Sequence, residues 1–216
     1  MRILFSGTVL LATMLHGAEV QPGPEVSSAE QWKTTSDDSG IYRPAPSRIE
    51  ELLYTVRSRM LGQTTAGQWD SGAVHAVFTA LEISDPATDG TERGLRIELS
   101  RPGVSETVYV DEAVFPALHR VMANYATHLP TVEDCVPGNT IGVRLSWLWD
   151  SPRRLVHPFN TAVYFDTATG KPGMLLGRGF KTVGFKGDFR FPGTLPEAFD
   201  KILNTAEASF RRPGAP

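Results

Sequence analysis

The chain has 216 residues, 41% hydrophobic and 21% charged, with a formal net charge of −3. That is ordinary globular composition, and a chain of this size buries roughly 70% of its unfolded surface, so it needs no disulfide to hold a core. The slight negative charge gives no electrostatic reason to bind nucleic acid, which is therefore not an expected partner.

Residues 1–18 read as an export signal. Met1-Arg2 carries one positive charge, Ile3 to Leu15 is mostly apolar, and the small residues Gly17 and Ala18 follow. The apolar run is shorter than the roughly 20 residues that a membrane-spanning helix needs. His16 stands where a small residue is preferred before the cut. The expectation is a periplasmic or secreted protein of bacterial type, with no membrane span once the signal is removed. Residues 19–46 hold four prolines and many small polar residues, with neither a helical nor a strand period. They read as a flexible linker, leaving 47–216 as one α+β domain.

The first predicted helix covers 47–61. Ile49, Leu52, Leu53, Val56 and Met60 share one face, Ser47 is a natural cap with Glu50 three residues on, and Gly62 is a stop. Three strands follow, over 72–84, 93–100 and 105–110, with turns at Asp85-Pro86, Asp89-Gly90 and Pro102-Gly103. The second predicted helix covers 112–129. Val114, Leu118, Val121, Met122, Tyr125 and Leu129 form its stripe, and Glu112 and His119 lie on the shoulder. Asp111 precedes it, where a carboxylate can accept a first-turn N–H and meet the positive helix end. Pro116 suits that first turn. Asp111, Glu112 and His119 thus look like a catalytic group, yet each has a role in starting a helix, which is the preferred reading.

Further strands are expected over 140–150, 157–166 and up to 189–191, and a third helix over 195–210 with the stripe Leu195, Phe199, Ile202, Leu203, Ala206, Phe210. The two long helices repeat their spacing at an offset of 81 residues. The fold expected is α+β: a mostly antiparallel sheet, or two packed ones, covered on one face by about three helices. A variant of it is two β-rich units, each closed by a helix.

No catalytic string is present: no G-x-S-x-G, H-E-x-x-H, P-loop or dinucleotide fingerprint. The histidines are scattered without ligand spacing, so neither a metal nor a cofactor is expected. The single cysteine, Cys135, has acidic sequence neighbours, Glu133 and Asp134, which disfavour a thiolate. Asp166, in "YFDTATGKPG", suits a hairpin in which its side chain bonds the turn and Gly170 takes positive φ.

Two surfaces could bind a ligand. Trp147 and Trp149 share a strand face and could stack a ring, although core packing is the plainer reading. In "GRGFKTVGFKGDFRF", the cations Arg178, Lys181, Lys186 and Arg190 alternate with phenylalanines and could track a polyanion; an ordinary half-buried hairpin looks the same. The function expected is a non-enzymatic module binding a cell-envelope protein, a peptide or a polyanion through a sheet face or edge. The alternative is a hydrolase using Cys135, or His157 with Asp150 or Asp166. A cleft holding at least three convergent polar side chains, one a histidine, would favour the enzyme.

The segment "VYVDEAVFPALHRVMANY" resembles a strand-to-helix stretch that recurs in uncharacterised exported bacterial proteins. The resemblance covers Tyr109 to Leu129. Ala113 and Val114 stand where such segments carry further acids. It implies no activity.

Overall fold

The computed structural model describes residues 47–135, 138, 140–146, 149–150, 155–156, 159–178 and 189–211. The expected signal peptide, the linker, Trp147, His157, Lys181 and Lys186 lie outside them.

The described part of the chain starts with a short helix, α1 (Arg48–Leu53), and then makes a four-stranded antiparallel meander. Its strands are β1 (Met60–Ser71), β2 (Val74–Asp85), β3 (Gly90–Arg101) and β4 (Val104–Asp111), in that spatial order. A 3-10 turn over Glu112–Val114 leads into α2 (Phe115–Thr127), with a proline in its first turn as expected. The second sheet joins β5 (Ile141–Ser146), β8 (Phe159–Asp166), β9 (Lys171–Arg178) and β10 (Phe189–Pro192), again as an antiparallel meander. The short pair β6 (Trp149–Asp150) and β7 (Leu155–Val156) sits between β5 and β8 in sequence. The closing helix is α3 (Pro196–Phe210). The fold is α+β, and each four-stranded meander is followed by one long helix.

Strand alternation sorts the side chains. Ala76, Phe78 and Ala80 of β2, Leu95, Ile97 and Leu99 of β3, and Val108 and Val110 of β4 all enter one large core. That core takes in the stripes of α2 and α3 and the second sheet's Phe159, Val163, Met174, Leu176, Phe189 and Phe191. The Tyr125 hydroxyl donates to the carbonyl of Thr161 at 2.6 Å and ties α2 to β8. The Asp166 hairpin forms as its sequence predicts. The Asp166 Oδ1 accepts from Ala168 N–H at 2.9 Å, and Gly170 closes the turn at φ 66°.

Two features depart from the sequence reading. The first helix stops at Leu53, not near 61, and Val56 and Met60 are exposed instead of packed. From Arg59 onward the chain bonds β2: Ser84 N–H donates to the Arg59 carbonyl, and the β1–β2 register runs from Met60 to Ser71. A long antiparallel ladder outweighs two more turns of weak helical periodicity. The second departure is where α1 docks. The strand residues that point away from the large core, Leu81 and Ile83, pack with Tyr109 against Ile49, Leu52 and Leu53 of α1. Helices therefore cover both faces of the first sheet, and among the described residues α1 alone covers the outer one.

Candidate functional site

In β4, Val108 and Val110 face the large core, so alternation turns Tyr109 and Asp111 to the outer face, toward α1. Asp111 therefore serves a helix other than the one it precedes, which has no side-chain cap. Its Oδ2 accepts the N–H of Arg48 at 2.9 Å and its Oδ1 that of Ile49 at 3.0 Å. Ser47 Oγ accepts from Glu50 N–H at 3.1 Å, and the Ser47 carbonyl from Glu51 N–H at 3.0 Å. The three first-turn amides of Arg48, Ile49 and Glu50 thus have side-chain acceptors, and Glu51 makes the first intrahelical bond. Burial pushes the Asp111 carboxyl above the usual aspartate range, more than the two amide donors pull it down.

Asp111→Ala is expected to cost about 2 kcal/mol in urea unfolding, the upper range for a helix cap, and Asp111→Asn, which keeps one acceptor, about 1 kcal/mol. The raised value also fixes a sign. The folded chain holds this proton more tightly than the unfolded chain, so ionising Asp111 weakens the fold. This contribution to stability is lost as pH rises from the ordinary aspartate range through the raised value. The asparagine variant should lack that slope; an unchanged slope would show that Asp111 is not its source.

Glu112 and His119 turn the other way, toward α3. The His119 Nδ1 lies 2.5 Å from Asp200 Oδ1 and its Nε2 3.4 Å from Glu207 Oε1. Asn204 donates to the second Asp200 oxygen at 3.0 Å, and Arg211 lies 3.5 Å from Glu207. Burial raises the Glu112 carboxyl, Arg93 opposes the rise, and Glu207 and Glu82 add to it. His119 and Asp200 are 81 residues apart, the offset at which the two helices repeat their spacing. The His119 Nδ1 is hydrogen-bonded to Asp200, and its Nε2 faces the Glu207 carboxylate. The cluster fastens α2 to α3.

A groove of about 400 Å³ lies alongside, lined by Thr64 of β1 and by Glu197, Asp200, Lys201, Asn204, Thr205, Ala208 and Ser209 of α3. His119 does not line it. The three convergent polar groups with a histidine therefore exist, and of them Asp200 alone lines this groove.

A second His–Asp pair also escaped the sequence reading. In the ladder Asp70 stands opposite His75, and His75 opposite Ser100, so the three form a row on the outer face of the first sheet. The His75 Nδ1 is 2.5 Å from Asp70 Oδ1, but no hydrogen bond joins His75 to Ser100. The row is open to solvent, and β2 and β3 are interior strands whose N–H groups serve the ladder on both edges. Only the register, which sequence does not announce, brings these residues together.

Cys135 is half-buried, with Sγ 4.0 Å from the Thr131 carbonyl, and among the described residues it has no histidine partner. Asp166 is used by its turn, and Asp150 lies in β6 with Trp149. Arg178 lies 3.5 Å from Glu50, and its backbone N–H meets Glu106 at 3.2 Å. Arg190 stands opposite Leu175, which packs on the outer side of the second sheet with Tyr164. Phe189 stands opposite Leu176, which faces the large core, and Arg178 is in phase with Leu176. Arg178 and Arg190 therefore leave the sheet on opposite faces. Phe189 and Phe191 point inward, as an ordinary hairpin would have them.

The remaining feature is the edge of the first sheet. Among the described residues β1 pairs only with β2, and Gln63, Thr64, Thr65 and Gln68 are exposed along it. Thr64 stands opposite Ala80, whose side chain faces the core, so Thr64 leans toward α3. At Gly67 the approach of α3 is close: a Cβ there would lie 2.9 Å from Ile202 Cγ1. The edge strand and the flank of α3 thus bound one groove. No family model matches the chain, and no curated protein matches it.

Proposed function

We propose that the chain is an exported, non-enzymatic binding module of the cell envelope, and that it takes up an extended segment of a partner polypeptide along the edge of β1. The observation that carries this reading is the groove between that edge and α3. An edge strand presents backbone donors and acceptors that a second strand can satisfy, while a neighbouring helix reads alternate side chains of the guest. The lining is polar and small, with Thr64, Thr205, Ala208 and Ser209 framed by Glu197 and Lys201. The β-bulge between Thr65 and Gly67 limits uncontrolled edge pairing, which favours a short guest over sheet-to-sheet aggregation. Export rests on the charge, apolar run and small residues of positions 1–18. A polyanion is the less favoured ligand, since Arg178 is paired with Glu50 and Arg190 leaves the opposite face.

Peptides selected from a random display library on the immobilised protein should protect the amides of residues 63–68 against hydrogen exchange. Thr64→Trp, which fills the groove, should weaken their binding about tenfold or more, equivalent to roughly 1.4 kcal/mol. Selected peptides that leave those amides exchanging freely would move the site away from β1. Failure to enrich any peptide would remove peptide binding altogether.

A further inference from the structure

We infer that α1 is a strap that opens as a unit while both sheets stay folded. Six residues are far too few to hold a helix in isolation, so α1 exists only through what it touches. Its apolar contact is a cluster of four buried residues, Ile49 and Leu52 on Leu81 and Ile83, separate from the large core. The rest of its hold is polar. Asp111 accepts its first two amides, Arg48 reaches Asp85 at 2.7 Å, and Glu50 reaches Arg178 of the second sheet at 3.5 Å. Such ties can break locally, because a small apolar contact and two ion pairs whose arginines are 40% and 48% exposed hold less than a shared core does.

The chain beyond α1 already behaves as exposed surface. Val56 is 100% exposed and Tyr54 79%. Opening α1 would uncover Leu81, Ile83 and Tyr109 next to Met60, which stands opposite Ile83 in the ladder and is itself partly exposed. The result is a continuous apolar strip on the outer face of the first sheet, hidden in the closed form and separate from the β1–α3 groove.

Native-state hydrogen exchange in low denaturant tests this. The amides of Arg48, Ile49, Glu50 and Glu51 should exchange on the order of 100-fold faster than those of Phe78 and Leu95, with little dependence on denaturant, as small local openings do. Ile97→Val trims only the large core. It should speed Phe78 and Leu95 several-fold and leave the four α1 amides unchanged. Equal acceleration of both sets, or α1 amides with the same rates and denaturant slope as the sheet, would show that α1 opens only when the whole fold does.

Discussion

Phe199→Ala is expected to lower stability by about 3–5 kcal/mol, the range for emptying a large aromatic site in a core. Phe199 is fully buried on α3 and joins the two sheets. Its ring meets Trp69 and Phe78 of the first sheet edge-on, at centroid distances of 6.0 and 5.8 Å. It stacks on Phe159 of the second sheet at 5.7 Å, with planes 17° apart. Trp69 in turn meets Phe78 at 4.9 Å and Phe191 at 5.4 Å. Aromatic pairs of this kind add about 0.5–1.5 kcal/mol beyond the area they bury. Against a total of roughly 5–15 kcal/mol the loss is a large share, and near-UV circular dichroism should weaken along with the melting temperature. Phe199→Leu refills most of the volume and should cost much less. An alanine variant melting within a degree or two of the parent would mean that the two sheets are held together elsewhere.

Gly94→Ala is the second large effect, with an expected cost of about 1–3 kcal/mol from overpacking. A Cβ at this position would lie 2.5 Å from the Val110 carbonyl oxygen, 2.9 Å from Ile49 Cγ1 and 3.3 Å from Asp111 Cα. The nearest obstacle is backbone, so no rotamer change relieves it. Gly94 stands opposite Asp111 in the ladder, beneath α1. The bare position lets the helix come close enough for Asp111 to reach the Arg48 and Ile49 amides. The substitution should therefore lower the urea midpoint and also strip exchange protection from those two amides. In an Ile49→Ala background, which lacks Cγ1, the second collision is gone but not the first, so the added cost of Gly94→Ala should be only partly rescued. Full rescue would place the whole cost on the side-chain contact.

The parts of the fold that were legible in sequence are those with strong periodicity on one face. Leu118, Val121, Met122 and Tyr125, and likewise Phe199, Ile202, Leu203 and Ala206, are buried where their stripes put them. The alternation of residues 93–100 and 105–110 gave β3 and β4, and the Asp166–Gly170 turn announced itself by its chemistry. β1 was invisible because it lies at an edge. Among its larger apolar residues only Trp69 is buried, so no alternation marks it. Met60 and Val56 completed a helical period by coincidence, and only pairing with β2, a tertiary fact, ends the helix early.

Asp111 is the more instructive miss. A capping residue stands just before a helix, and the local rule assigns it there. The parity of β4 was also readable: if Val108 and Val110 face the core, Asp111 cannot. What sequence lacked was the helix waiting on the other face. The same holds for His119, whose shoulder position was clear while its partners Asp200 and Glu207 were not.

The bond from Asp111 to the Arg48 amide spans 63 positions along the chain. Its acceptor does not exist in place until three successive hairpins have brought β4 alongside β3. Neighbouring strands joined by tight turns close cheaply, whereas a contact of this separation waits on a long loop. The earliest described stretch of the polypeptide thus waits for later ones before its first turn is capped, and its tie to Arg178, 128 positions from Glu50, needs the second sheet as well. During biosynthesis the apolar side chains of Ile49 and Leu52 stay without their native seat until Leu81 and Ile83 of β2 have been laid down and arranged, and their helix waits longer still for its cap from Asp111.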